Sequence, residues 1–332
     1  SNEGDKIVNK KIIDVIENNL TGDFDHDFNY LMNEAAHFQR MKGTEELVKE
    51  ILMVFKKHLG EKGRVRMMEV AAAQIDARHK KYKRAIEAIK EKQFSEASRL
   101  LTELIDTFPF KRSDDEAAYL QFNHIVERAI YQEIHSDIKI HQYEEPVSIF
   151  YYQLAYVLRE TKDYEGTLEM VEKALELNPV CFDYFVLEAD THKRLGNLQG
   201  FMESIIKALS YAFNTLQFGR GYFLLAGYYN EIGDYELAYY LYEKTISYID
   251  MDYAIKAMKK IESQYSNIAA KSPEEINELL KAYNIPLTPT QEVIDALTQI
   301  LADTAEPGLE ELHNSIEQLY SDIIEDKTND IH

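Results

Sequence analysis

The chain has 332 residues, 45% of them hydrophobic and 11% aromatic, a composition that suits a packed core and excludes a disordered polymer. Its net charge of −21 disfavours nucleic acid and acidic membrane surfaces as partners, and no apolar run reaches the ~20 residues a membrane helix needs. A single cysteine, Cys181, excludes an internal disulfide and a thiolate zinc cage; together with an N-terminal stretch that lacks an apolar secretory core, it sets the expectation of a cytoplasmic protein.

Taken in chain order, residues 1–76 read as an N-terminal helical region punctuated by Gly22, Gly43, Gly60 and Gly63. Within it, "DFDHDFNYLMNE" sets Asp23, Asp25, Asp27 and Glu34 where a calcium-binding EF-hand loop places its first, third, fifth and twelfth residues. Phe28 stands where that loop needs glycine, so an acidic helix start, favoured by the helix dipole, competes with a metal site. "RHKKYKR" (Arg78 to Arg84) is the one basic cluster and reads as the solvated flank of a helix. Ser113-x-x-Glu116 predicts a capping box that opens a helix over 113–135, and "SDIKIHQYEEPV" (Ser136 to Val147) predicts a loop. His135 and His141 flank that loop, with Glu133 and Asp137 nearby, but at no spacing used by helical zinc sites. No strand is expected anywhere.

From Ser148 the sequence becomes periodic. Tyr151, Phe185 and Tyr222 open equivalent helices at intervals of 34 and 37 residues. Each carries a small residue one turn on, at Ala155, Ala189 and Ala226. Turns reading "KDY", "GNL" and "GDY" follow, and then a second helix with one stripe of small or bulky residues: Thr167, Val171 and Ala174; Phe201, Ile205 and Ala208; Ala238, Tyr242 and Thr245. A lone helical hairpin cannot bury such a stripe, so neighbours must stack. Further on, Ser272, Pro273 and Glu275 predict one capped helix, Thr288 with Gln291 a second, and Pro307-Gly308 the break before a last one.

The pattern over Ser148 to Asp250 resembles the tetratricopeptide repeat, with Tyr or Phe in place of the usual Trp; Arg78 to Pro109 is a divergent copy in which Lys81 and Arg84 replace apolar residues. The order of "YLQFNHIVERAIYQEI", the repeats and "SPEEINELLKAYNIPLTP" is also similar to that of an uncharacterised group of bacterial tetratricopeptide proteins, and implies no activity. The resemblance implies an all-α fold: a right-handed α-solenoid of helix-turn-helix repeats over 77–262, holding an interrupted unit at 113–147, with helical extensions at 1–76 and 263–332 that cap the stack.

It also implies that the first helix of each unit lines a concave groove. Helical spacing then gathers Tyr152, Tyr156 and Arg159, next Asp190, Lys193 and Arg194, then Arg220, Phe223 and Asn230. Residues 1–112 hold 21 bases and 19 acids, which leaves 16 bases and 39 acids for the rest; several of those few bases fall on this one face. Glu160, Asp183, Asp190 and Glu231 stand ready to neutralise them. The family's co-chaperones clamp a carboxylate with Lys and Asn on successive first helices, and Tyr152, Tyr156 and Leu187 do not reproduce that clamp.

The expected function is a non-enzymatic scaffold that binds a protein or an extended peptide bearing acidic or C-terminal carboxylate groups, with no cofactor. The alternatives are a regulator controlled by a small signalling peptide, with residues 1–76 as effector module, and an undetected hydrolase. Oligomeric state is left open.

Overall fold

A computed structural model describes residues 3–328. The chain divides into two compact units, one ending at Lys81 and the other beginning at Tyr82. The first contains α1 (Glu3–Asn18), α2 (Phe24–Gln39) and most of α3 (Glu45–Lys90), which is broken at Gly60 by a left-handed backbone (φ 55°). Its core is Ile16, Phe28, Leu31, Leu47, Ile51 and Phe55. Gly22 and Gly43 take positive φ at the turns, as their punctuating role requires, whereas Gly63 lies inside helix, where an added Cβ would fall 2.5 Å from that of Leu59.

The second unit continues with α4 (Phe94–Thr107), β1 (Ala117–Leu120), α5 (Ile125–Ile134), β2 (Lys139–Gln142) and α6 (Val147–Glu160). Next come α7 (Tyr164–Leu177), α8 (Phe182–Arg194), α9 (Leu198–Tyr211), α10 (Thr215–Glu231) and α11 (Tyr235–Ile246). It closes with α12 (Asp252–Gln264), α13 (Pro273–Ala282), α14 (Gln291–Asp303) and α15 (Glu310–Thr328). α6 pairs with α7, α8 with α9 and α10 with α11, each hairpin packing on the next, so the unit is an α-helical repeat solenoid.

The local chemistry explains the hairpins. Lys162, Gly196 and Gly233 each adopt positive φ, which ends the first helix. The next residue, Asp163, Asn197 or Asp234, caps the second helix by accepting the backbone N–H of Gly166, Gly200 or Leu237. Ala155, Ala189 and Ala226 are fully buried, and all nine residues of the second-helix stripe are buried. Upstream, Ala85 and Ala88 pack with Ala97, Leu101 and Leu104 against Phe150 and Leu154 of α6, so the divergent copy joins the stack.

Residues 113–147 depart from expectation. No helix starts at Ser113. Asp114 accepts the N–H groups of Glu116 and Ala117 and Ser113 that of Tyr119, which ties the chain into a turn instead of a cap. Ala117–Leu120 then runs parallel to Lys139–Gln142, so the expected loop holds a strand. The helix begins only at Ile125, where His124 and Glu127 form the real capping box.

Glu127 is the hub of this insert. Its Oε1 accepts the backbone N–H of Asn123 (2.8 Å) and His124 (2.9 Å) and the Asn178 amide (3.1 Å) from the α7–α8 junction. From Asn123 a chain of donors runs on through the Tyr184 hydroxyl and Ser148 Oγ to Gln121 Oε1. Burial pushes the Glu127 pKa above its ordinary value, outweighing the hydrogen bonds from Asn178, Cys181, Asn123 and His124.

The C-terminal elements do more than cap an end. Ser272 and Glu275 form the expected box. Thr288 does not cap α14, which starts after Thr290 with no side-chain cap. Thr288 is instead buried on Tyr222, whose hydroxyl donates to Pro286 O (2.7 Å) and accepts from Thr288 N (3.1 Å) and Oγ1 (3.2 Å). The chain thereby turns back along the array, and α14 packs on α5.

Two outcomes follow. A carboxyl that holds its proton longer in the folded state stabilises the fold below its unfolded pKa, and that contribution fades as pH rises through the folded value. Urea midpoints are therefore expected to show wild type losing ground to Glu127→Gln as pH rises above the ordinary carboxyl range, whereas Glu127→Ala is destabilised throughout by about 2 kcal/mol or more. Tyr222→Phe should cost about 2 kcal/mol and speed amide exchange over residues 284–290, read by mass spectrometry.

Candidate functional site

The first helices of three successive hairpins line one trough of about 520 Å³. α6 contributes Tyr152, Tyr156 and Arg159; α8 contributes Asp183, Val186, Leu187, Asp190 and Lys193. α10 contributes Arg220, Phe223, Leu224 and Gly227, and Phe201 reaches in from α9. These side chains converge because the small residues at Ala155, Ala189 and Ala226 turn the opposite face of each first helix onto its partner.

Each base of the trough stands over a ring and beside an acid. Arg159 lies 5.1 Å from the Tyr156 ring centroid and bridges Glu160 (2.7 Å) and Asp190 (3.2 Å). Lys193 sits over Phe201 (5.5 Å) and pairs with Glu231 of α10 (3.2 Å). Arg220 sits over Phe182 (5.4 Å) and pairs with Asp183 of α8 (3.0 Å). The pairs Arg159–Asp190, Lys193–Glu231 and Arg220–Asp183 thus run between neighbouring first helices as rungs across the trough.

Arg159 is the most enclosed of these cations, and its buried Nε has no hydrogen-bond partner. Burial alone would depress its pKa, but Glu160 and Asp190 raise it, so the charge is secure. Tyr152 stacks on Tyr184 (4.9 Å) and so connects the trough to the polar chain that leads to Glu127. Burial, then Asp183 and Cys181, push its hydroxyl up to about 12 against the pull of Arg159 and Arg220; the phenol is neutral and a donor at any physiological pH.

Seven of the residues expected from helical spacing meet here: Tyr152, Tyr156, Arg159, Asp190, Lys193, Arg220 and Phe223. Arg194 lies outside the cavity, over Tyr164 (5.9 Å) and on Asp190 (3.0 Å), and Asn230 is exposed at the last turn of α10. Sequence reasoning missed Leu224; Phe201, which belongs to a second helix; and Gly227, which has no side chain to announce it.

The remaining candidates sit elsewhere. Asp23 caps α2 by accepting His26 N–H, and Asp25 pairs with exposed Arg66. Asp27 is buried; burial pushes its pKa up, but hydrogen bonds from Thr21 N, His26, Gly22 N and the Thr21 hydroxyl win and lower it to about 2. Because α2 runs from Phe24 to Gln39, Asp23 to Glu34 forms no calcium loop. His141 stacks on Tyr119, and His135 packs at a tilt against Tyr131. Among the described residues no cluster of three His, Cys, Asp or Glu gathers into a metal site. The Cys181 thiol is buried and pushed far up, first by burial and then by Glu127, which makes it a poor nucleophile. A second cavity, also about 520 Å³, lies between α5, Gln142 and α14.

Stacked helical hairpins presenting a lined trough define a helical-repeat solenoid. Residues 149–181, which cover most of α6, all of α7 and the junction to α8, match the family model of the tetratricopeptide repeat, so the chain contains a repeat of this type. No curated protein matches the chain. A repeat of this kind marks a protein-interaction scaffold. No helix among the described residues is long and apolar enough to cross a membrane.

The exposed rungs are weak by nature, since solvent and salt screen them. A double-mutant cycle on Arg220 and Asp183, whose side chains are 39% and 53% exposed, should give a coupling below about 1 kcal/mol in urea titrations, shrinking as salt is added.

Proposed function

We propose that the protein is a non-enzymatic scaffold whose α6–α8–α10 trough binds an extended segment of a partner protein through acidic side chains or a terminal carboxylate. The observation that carries this reading is the trough itself: aromatic rings and half-exposed cations from three successive helices on one continuous wall. Tyrosine and phenylalanine give contact area with few rotors to freeze, and arginine directs paired donors at a carboxylate.

Charge supports the same reading. The unit ending at Lys81 holds 14 bases and 14 acids, so the whole net charge of −21 belongs to the solenoid unit. Against that background, Arg159, Lys193 and Arg220 give the trough three cations that an acidic segment can compete for with Glu160, Asp183, Asp190 and Glu231. A ligand carboxylate replaces a weak exposed rung with a contact in a more enclosed setting, and the preset side chains lose little entropy on binding.

The Arg159→Glu/Arg220→Glu double variant should keep the wild-type circular dichroism spectrum and melting temperature within a few degrees, yet fail to recover a partner that the wild type captures in parallel pull-downs. Equal recovery by both proteins would remove the trough from consideration.

A further inference from the structure

The helical glycines of the solenoid unit have local reasons, with one exception. A Cβ at Gly166 would meet the Asp163 cap at 2.4 Å, and one at Gly200 would meet Asn197 at 2.6 Å. At Gly219 it would run into Ile249 and at Gly221 into Leu209, each at 2.4 Å. At each of these four an added Cβ would have to displace a neighbouring side chain. At Gly227 nothing lies within 4 Å.

Gly227 nonetheless sits well inside α10, where glycine is a poor helix former compared with alanine. No turn, cap or close helix contact requires it. It lines the trough, and it is the third member of an equivalent set: five residues after Tyr151, Phe185 and Tyr222 stand Tyr156, Asp190 and Gly227. Two hairpins project a side chain into the trough at this position and the third leaves an open notch in a lining that also holds Phe201, Phe223 and Leu224. A glycine that the chain itself does not need marks a place where something outside the chain comes close.

Resting on the trough reading above, we infer that the notch over Gly227 seats a large apolar side chain of the bound peptide segment, and that a carboxylate of the same segment reaches Arg220. Arg220 and Gly227 share a helix face two turns apart, roughly 10 Å, which an extended peptide covers in about three residues. The preferred ligand is therefore an extended peptide with an acidic residue about three positions from an aromatic or long aliphatic one. The notch sets specificity, and the cation sets position.

The test uses the full chain and a synthetic random peptide library. Peptides enriched on the wild type are measured by fluorescence anisotropy against Gly227→Ala, Gly227→Leu and Arg220→Glu. Gly227→Ala should raise the melting temperature by about 2 °C, because alanine favours helix and has room, while weakening the enriched peptides about tenfold, with Gly227→Leu worse. Arg220→Glu should weaken them as well. A lowered melting temperature for Gly227→Ala would show that the fold needs the glycine, and unchanged affinity would show that the notch is empty in the complex; either overturns the inference. If Arg220→Glu still weakens binding in those cases, the trough reading survives without the notch. If no peptide is enriched, or the enriched ones ignore Arg220→Glu too, both fall.

Discussion

Two helices can approach closely only where the side chains between them are small, and in the solenoid unit that condition is met once per hairpin, at Ala155, Ala189 and Ala226. Everything else depends on it. Close approach turns Thr167, Val171 and Ala174, and their counterparts in the next two hairpins, into a buried stripe. The opposite face of each first helix is then left free, and three such faces in succession make the trough. A larger residue at any of these alanines would spread one hairpin and tilt the wall that its first helix presents.

The apolar interior consists of two large clusters bridged at α6–α8 by two small ones, Ala155 with Val171 and Leu187, and Ala174 with Cys181 and Tyr184. One core runs from the insert through α8 to α15, and another joins the start of the array to α6. Around the α6–α8 junction between them lie Gln121, Glu127, Ser148, Asn178 and Tyr184, all buried and almost all hydrogen-bonded. A satisfied polar network is less forgiving than an oily contact, because each member has few acceptable partners and positions. It pins β1, α5 and the α7–α8 junction in one register, and through the Tyr184–Tyr152 stack it also orients a ring of the trough.

The hairpins were legible because repetition multiplies weak signals: a small residue, a Lys-Asp, Gly-Asn or Gly-Asp turn and a second stripe recurring at 34 and 37 residues leave little choice of fold. Most of the trough followed from the same spacing, since residues on one helical face are fixed by period alone. The ion pairs also followed, because Asp183, Asp190 and Glu231 face the bases from adjacent first helices and Glu160 follows Arg159 in sequence. The insert was misread for a physical reason. Ser113 and Glu116 have the right identities for a cap, but Asp114 captures the same backbone donors in a turn, and the strand that follows needs a partner more than twenty residues away. Thr288 was misread similarly: its hydroxyl matches a cap, and only the distant Tyr222 shows where it is used. Gly227 could not be recognised without coordinates, because a glycine means something different depending on what surrounds it.

The pairing of α5 with α14 changes the mechanics of the array. A row of stacked hairpins is ordinarily a soft spring, since each interface yields a little and the small rotations add up along its length. Here a strut from the insert, early in the row, grips a helix from beyond its far end, which closes the spring into a loop. Bending at any one joint between them must then strain the strut. The curvature of the inner wall is then set by the frame, so that any adjustment on binding would fall to the guest.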